Sequence, residues 1–291
     1  MKDRFLRAAR VWIPVLLLLC LLAPAGAEVY LDAEKPADWD QRDLLRIIFP
    51  EEVNDEAILV LCGGKTMMVD AGTGPYWPRY MPFLESLGIT HVEIMYNSHP
   101  HYDHLEGEMR LIEHGLTADV FLSPFPEGYR NVLQKKVVPV LKKYGIPYQQ
   151  LMPDEPFSLG NAEIVMYRYP DGKDPNALSG VLHITFGAAK ILIPADLTGD
   201  GEKYLVSAYG EEGLKSDILK VPHHGIIHMT KDFLPTVQPK LAIFTNATRA
   251  TQKANAQLEK YGIPYLHTSA GTIFLETDGT DWYVTQEPSL L

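Results

Sequence analysis

The chain has 291 residues, 46% of them hydrophobic, with 37 acidic against 26 basic side chains and a net charge of −11. That size supports one large core or two small ones. The acidic balance excludes tight non-specific nucleic-acid binding through a basic face, but not phosphate chemistry at a cation that brings its own positive charge.

Lys2, Arg4, Arg7 and Arg10 precede "VWIPVLLLLCLL", Val11 to Leu22, a run without charge. It is too short for a comfortable membrane span. Ala25 and Ala27 follow in A-x-A spacing, so residues 1–27 are expected to be a signal peptide cut after Ala27. The protein is then exported: secreted, periplasmic or held at the cell surface. The rival expectation is an uncleaved anchor through residues 11–22. Cleavage removes four basic residues and one acidic, which takes the net charge from −11 to −14 and leaves Cys62 as the single cysteine. No internal disulfide is then expected. Inside "AILVLC" that cysteine reads as a small buried side chain. Residues 28–55 are expected as a lead-in, and 56–291 as one domain.

From Glu56 onward strand and helix signals alternate. "EAILVLCGGKTMMVDAG" is a hairpin around Gly63-Gly64 whose second strand ends at Asp70. "WPRYMPFLESLGI" predicts a helix stopped at Gly88. The strand "HVEIMYNS" delivers the chain to His99, and "HLEGEMRLIEHG" predicts the next helix. "VFLSP" is strand-like, and "NVLQKKVVPVLKKYG" predicts a helix disturbed at Pro139. In the second half, "PFSLGNAEIVMYRYP" predicts two short strands around Gly160-Asn161. "GVLHITFGAAKILIPAD" predicts a hairpin turning near Gly187 and ending at Asp196. A helix over "EKYLVSAYG", the strand "SDILKVP", His223-His224-Gly225, a helix near "TKDFLPTV", the strand "KLAIFTN", the helix "TQKANAQLEKYG" and a closing pair in "GTIFLETDGTDWYVTQ" complete the order. Two sheets covered by helices, an α/β layered domain, fit it.

Asp70, His99, Asp196 and His223-His224 each follow directly on an apolar strand run, where a sheet can hold a site and loops can open it. "NSHPHYDHLEG" concentrates the chemistry. His99 and His101 are two apart, so an extended backbone points both the same way. Asp103 and His104 follow where the chain turns into a helix, and their directions diverge from the first pair. Four ligands from one loop can therefore serve two ions. Imidazole suits zinc and other first-row metals, and carboxylate widens the choice to manganese or iron. The bland alternative is a His-rich surface loop. Asp196, able to bridge two cations, and an imidazole of "LKVPHHG" argue against it.

In H-x-H-x-D-H at His99 to His104, "MVDAG" at Asp70, and Asp196 and His224 in order, the sequence resembles the metallo-β-lactamase superfamily. That family is a four-layer αββα sandwich of metal-dependent hydrolases. "NALSGVLHITFGAAKILIPADL", "LKVPHHG" and "GTIFLETDG" bring it nearest to the ComEC-type competence-protein hydrolase domain and its free-standing relatives. The resemblance implies that His99 and His101 hold a first metal, that Asp103 and His104 hold a second, and that Asp196 bridges them. It makes His224 the remaining ligand, with His223 as its neighbour, and gives Asp70 a supporting role. Where many relatives carry a third histidine of the first site, this chain has Asn176, expected either as a weak ligand or as an ordinary loop residue. The first ion is therefore expected to be loosely held, or to be Mn2+ rather than Zn2+. Where ComEC-type sequences continue "HHG" with serine, this one has Ile226.

The resemblance points to an exported hydrolase that uses water activated by one or two divalent ions, Zn2+ or Mn2+, with Asp103 catalytic. A phosphodiester, as in a phosphodiesterase or nuclease-like enzyme, or another small molecule is the expected substrate. The alternatives are hydrolysis of a β-lactam, lactone or thioester bond, and a non-catalytic metal or ligand-binding protein. No cysteine near Asp196 and no third histidine count against a zinc β-lactamase. Tyr76, Trp77 and Tyr80 follow Asp70 on a segment that either flanks the site or packs in the core.

Overall fold

The computed structural model describes residues 26–288, so residues 1–25 of the expected signal peptide lie outside the described residues. Runs of apolar residues set the strands and amphipathic spacing sets the helices. β1 (Val29–Leu31) and β2 (Leu45–Phe49) come first. β3 (Ala57–Cys62) and β4 (Lys65–Ala71) form the hairpin at Gly63-Gly64, where both glycines take positive φ. Then follow α1 (Trp77–Ser86), β5 (His91–Tyr96), α2 (Tyr102–Glu113), β6 (Thr117–Ser123), α3 (Val138–Tyr144) and β7 (Tyr148–Gln150). The second half runs β8 (Phe157–Leu159), β9 (Ala162–Tyr167), β10 (Val181–Phe186), β11 (Ala189–Ile193), α4 (Asp200–Leu214) and β12 (Ile218–Lys220). It continues through α5 (Phe233–Val237), β13 (Leu241–Phe244), α6 (Gln252–Lys260) and β14 (Tyr265–His267), and closes with β15 (Thr272–Thr277) and β16 (Trp282–Glu287).

These strands make a nine-stranded sheet, β1-β16-β15-β2-β3-β4-β5-β6-β7, and a seven-stranded sheet, β14-β13-β12-β11-β10-β9-β8. Three apolar clusters define the layers. Ile47, Val60, Met67 and Val69 of the first sheet pack with Ile164, Leu182, Ile184 and Ile191 of the second. Leu59 and Met68 turn to the other face of the first sheet, onto Leu84 of α1, Leu105 of α2 and Leu141 of α3. Leu192 and Leu219 leave the second sheet toward Leu205 of α4, Phe233 of α5 and Leu258 of α6. Helix, sheet, sheet, helix is the expected αββα sandwich, and strands buried on both faces explain the continuous apolar runs. Each such side chain contributes about 1.5–3 kcal/mol on burial.

The structure differs from the sequence expectation in three places. The stretch 28–55, expected as a lead-in, supplies β1 and β2, and β2 lies between β15 and β3 inside the sheet. The helix expected to be disturbed at Pro139 is so disturbed: residues 133–137 form a π turn that runs without a break into α3, and Pro139, which has no N–H to give back to that turn, stands at the junction. α4 runs beyond "EKYLVSAYG" to Leu214, bent at Gly210 (φ 54°). β7 and β14, three residues each, have too little pattern to be read from sequence. At the other end, Ala27 is buried, and Lys240 Nζ donates to the carbonyl oxygens of Gly26 and Ala27, each at 3.0 Å. Among the described residues no helix is long and apolar enough to cross a membrane.

Candidate metal centre

In each sheet an antiparallel hairpin hands over to parallel strands: β3-β4 to β5, and β10-β11 to β12. The loops beyond the ends of β4, β5, β11 and β12 meet where the sheets face one another. Asp70 stands near the end of β4 with φ 53°. Its Oδ1 accepts from Ser98 N at 2.8 Å and Asn97 Nδ2 at 3.2 Å; its Oδ2 accepts from Ser98 Oγ at 2.5 Å and His104 Nδ1 at 2.7 Å. His99 and His101 stack edge to face, 4.6 Å between ring centres, just before α2. His101 is still extended, and Asp103 and His104 occupy the first helical turn.

From the other sheet, Ala195 takes φ 49° and so turns its carbonyl inward, where Lys220 Nζ and His223 N both donate to it at 2.9 Å. That places Asp196 among the imidazoles. Asp196 Oδ1 lies 3.2 Å from His104 Nε2 and 3.2 Å from His224 Nε2. Asp196 Oδ2 lies 3.8 Å from His99 Nε2 and 3.6 Å from His223 Nε2. Asp103 Oδ2 is 3.7 Å from His224 Nε2, and Thr245 Oγ1 is 2.8 Å from the same ring's Nδ1. Two groups of metal-ligating type result: Glu56, His104, Asp196 and His224, and His99, His101 and Asp196, with the ligand-type atoms of each within 4.8 Å of one another.

The protonation pattern tests whether a cation fits. Asp70 can only accept, so His104 Nδ1 carries the proton in that bond, and a neutral ring presents a lone pair from Nε2 to Asp196 Oδ1. Two lone pairs facing each other in a buried site need a positive charge between them. A proton is one answer. Burial lowers the His104 pKa, but Asp196 and Asp70 outweigh it and hold it well above the usual range. A divalent ion is the other answer, with more charge. Burial also opposes ionisation of Asp196, yet His224, His104 and His99 keep its pKa well below the usual carboxylate range. Asp103 is likewise lowered: burial raises it, and the nearby His224 and His104 outweigh that. His99, buried and next to His104, is pushed well down and stays neutral. The buried atoms His99 Nε2, His104 Nε2, His224 Nε2 and Asp196 Oδ1 have no hydrogen-bond partner among the described residues. Imidazoles and carboxylates converging with no other partner among the described residues are the donor set a divalent cation takes, displacing the proton that His104 otherwise holds.

The structure therefore gathers His99, His101, Asp103, His104, Asp196 and His224 into one cluster, with Asp70 behind it. His223 reaches the same cluster, and the Asn176 amide is 3.4 Å from its Nε2. The three aromatics after Asp70 lie elsewhere. Tyr80 is buried with its hydroxyl donating to Glu52 at 2.7 Å, Tyr76 stacks on Tyr80, and Trp77 stacks on His114. Sequence reasoning missed Glu56 and Lys220, a fully buried ion pair beside His224. The one available signal was a lysine inside the apolar strand "DILKVP".

A family model described as metallo-beta-lactamase superfamily matches residues 56–234. ComE operon protein 3 of Bacillus subtilis is 26% identical over 204 residues, covering 66% of this chain and 26% of that protein. Competence protein ComA of Neisseria gonorrhoeae is 25% identical over 221 residues, covering 73% of this chain and 29% of that one. The chain thus spans less than a third of the length of these relatives. Among solved structures, the metallo-beta-lactamase fold protein YhfI of Bacillus subtilis superposes with a TM-score of 0.53 at 13% identity, over 78% of this chain and 96% of that one. CmlA, a diiron beta-hydroxylase of Streptomyces venezuelae, gives 0.51 at 13% identity, over 81% and 54%. At such identity the likeness is one of fold.

Proposed function

The chain belongs to the metallo-beta-lactamase superfamily and is a metallo-hydrolase, and from that premise we propose that it is exported and cleaves phosphodiester bonds. The observation that carries the hydrolytic reading is the Asp196 carboxylate with a pair of imidazoles at each oxygen. In this reading His99 and His101 would hold one divalent ion and Asp103, His104 and His224 another, with Asp196 within reach of both. A bound divalent ion supplies Lewis acidity toward a substrate oxygen and a water that ionises near neutral pH. The chain's own groups orient and exclude. Asp103, kept ionised, would accept a hydrogen bond from a water bound beside His224. Asp70 fixes the ring of His104 and the Ser98 backbone from behind.

A phosphodiester is the substrate class to test first because one curated relative is named a competence protein and because a cation offsets the acidic surface locally. Export follows from the basic, apolar and small-residue order of the first 27 positions. The test runs one preparation, loaded with zinc or with manganese, against bis(p-nitrophenyl) phosphate, single-stranded DNA, a chromogenic cephalosporin, a lactone and a thioester. Phosphodiester cleavage is expected, falling at least about a hundredfold in Asp103→Ala and His101→Ala. Wild-type rates in those variants would remove the assignment of the centre. Turnover confined to the other bonds would replace the substrate class.

A further inference from the structure

We infer that His223 is a metal-ligating residue of the His99–His101 position, supplying the imidazole that Asn176 does not. This rests on the metallo-hydrolase reading above. The adjacent histidines look redundant in sequence, one a ligand and one its neighbour, but they divide the bridging carboxylate between them. His224 Nε2 addresses Asp196 Oδ1, the oxygen that His104 also faces. His223 Nε2 addresses Asp196 Oδ2, the oxygen that His99 faces.

The spacing separates ligation from hydrogen bonding. At 3.6 and 3.8 Å, the contacts of His223 and His99 with Asp196 Oδ2 are too long for hydrogen bonds. Two atoms sharing an ion at about 2.1 Å in tetrahedral geometry stand about 3.4 Å apart, close to these separations from Asp196. The atoms already within 4.8 Å of one another are those of His99, His101 and Asp196, so the His223 ring has to swing inward to complete that set. The backbone is built for the division. His223 (φ 50°, ψ 49°) and His224 (φ 51°, ψ 11°) are both left-handed, which costs about 1–2 kcal/mol each for residues with a side chain. The His223 N–H bond to Ala195 O ties the pair to the residue before Asp196. A simple turn before Gly225 needs neither arrangement.

Asn176 is the competing explanation for where His223 sits, since its amide lies 3.4 Å from His223 Nε2. That contact is at the outer limit of a hydrogen bond, and Asn176 Oδ1 is buried without a hydrogen-bond partner among the described residues. An amide in either flip can lie beside a ligated ring, so the contact does not demand that Nε2 be spent on it.

Metal stoichiometry and affinity decide the matter without any substrate. Purified protein is stripped, then titrated with Zn2+ and separately with Co2+, following ion content by mass spectrometry and ligand number by the visible bands of Co2+. His223→Ala and His99→Ala are expected to lose or weaken the same ion by at least about tenfold, and to remove intensity from the same Co2+ bands. His224→Ala should weaken the other ion. His223→Gln, which keeps a hydrogen bond to Asn176, should behave like His223→Ala, and retention of the other ion shows that each variant is folded. If both His223 variants keep both ions at wild-type affinity while His99→Ala and His104→Ala each lose one, the inference fails and the metallo-hydrolase reading stands. If the unmodified protein binds no divalent ion, both fall together.

Discussion

Asp70 touches none of the lone pairs gathered around Asp196, yet it decides which nitrogen of His104 supplies one. By taking the Nδ1 proton it leaves Nε2 free and aimed at Asp196. In Asp70→Asn the acceptor loses its charge, and the His104 ring is held less well. The variant should lower the affinity of the His104 position by about 10- to 100-fold while the fold persists. Calorimetric titration with Zn2+ checks this, and an unchanged affinity would show that Ser98 and α2 suffice to hold the ring. The spacing of His99, His101, Asp103 and His104 made this end of the site legible, because period-two backbone and a helix start fix directions locally. Glu56 and Lys220 were not legible. A buried ion pair between the loop entering β3 of one sheet and β12 of the other has no sequence spacing to reveal it, and Lys220 shows its role only when its Nζ is seen on Ala195 O. Nor does spacing show where the rings of His223 and His224 point, since that depends on the left-handed backbone of both residues.

At the scale of elements, α2 is pressed against β4 so closely that one side-chain atom decides the fit. A Cβ on Gly107 would stand 1.7 Å from Ala71 O, while Gly107 N donates to Gly72 O at 2.9 Å. Gly107→Ala must push α2 away from the strand that carries Asp70, and His104 with it. It should cost about 3 kcal/mol in a denaturant titration and weaken metal binding too. A loss under about 0.5 kcal/mol would mean that the helix slides freely and does not position His104. Most elements were legible because hairpin glycines, helix stops and apolar periodicity all pointed one way. β1 was not, because its three residues are half exposed and gain their place by pairing with β16, the last strand among the described residues. α5 was legible only as a region, being five residues long with Pro235 inside it.

At the scale of the whole molecule, the centre draws His99, His101 and His104 from the nine-stranded sheet and Asp196 and His224 from the seven-stranded one. An ion held by both is a fastener across the sandwich. At a metal concentration about a thousandfold above Kd the stabilisation is about 4 kcal/mol, and a chain of this size shifts by about 2–4 °C per kcal/mol. Chelation should therefore lower the melting temperature by on the order of 10 °C, reversibly on adding Zn2+. No shift in a calorimetric scan would mean that the apo sandwich closes equally well. Of the nine described non-glycine residues with positive φ, four are Asp70, Ala195, His223 and His224. For a lineage under selection, that concentration sets durability against chemistry. Heat alone favours glycine at such positions, since it removes a cost of about 1–2 kcal/mol. At His223 and His224 the same change deletes an imidazole, and at Ala195 it slackens the turn that aims Asp196. Variants recovered for heat resistance should therefore accumulate away from this centre, and those that relax its backbone should pay in metal.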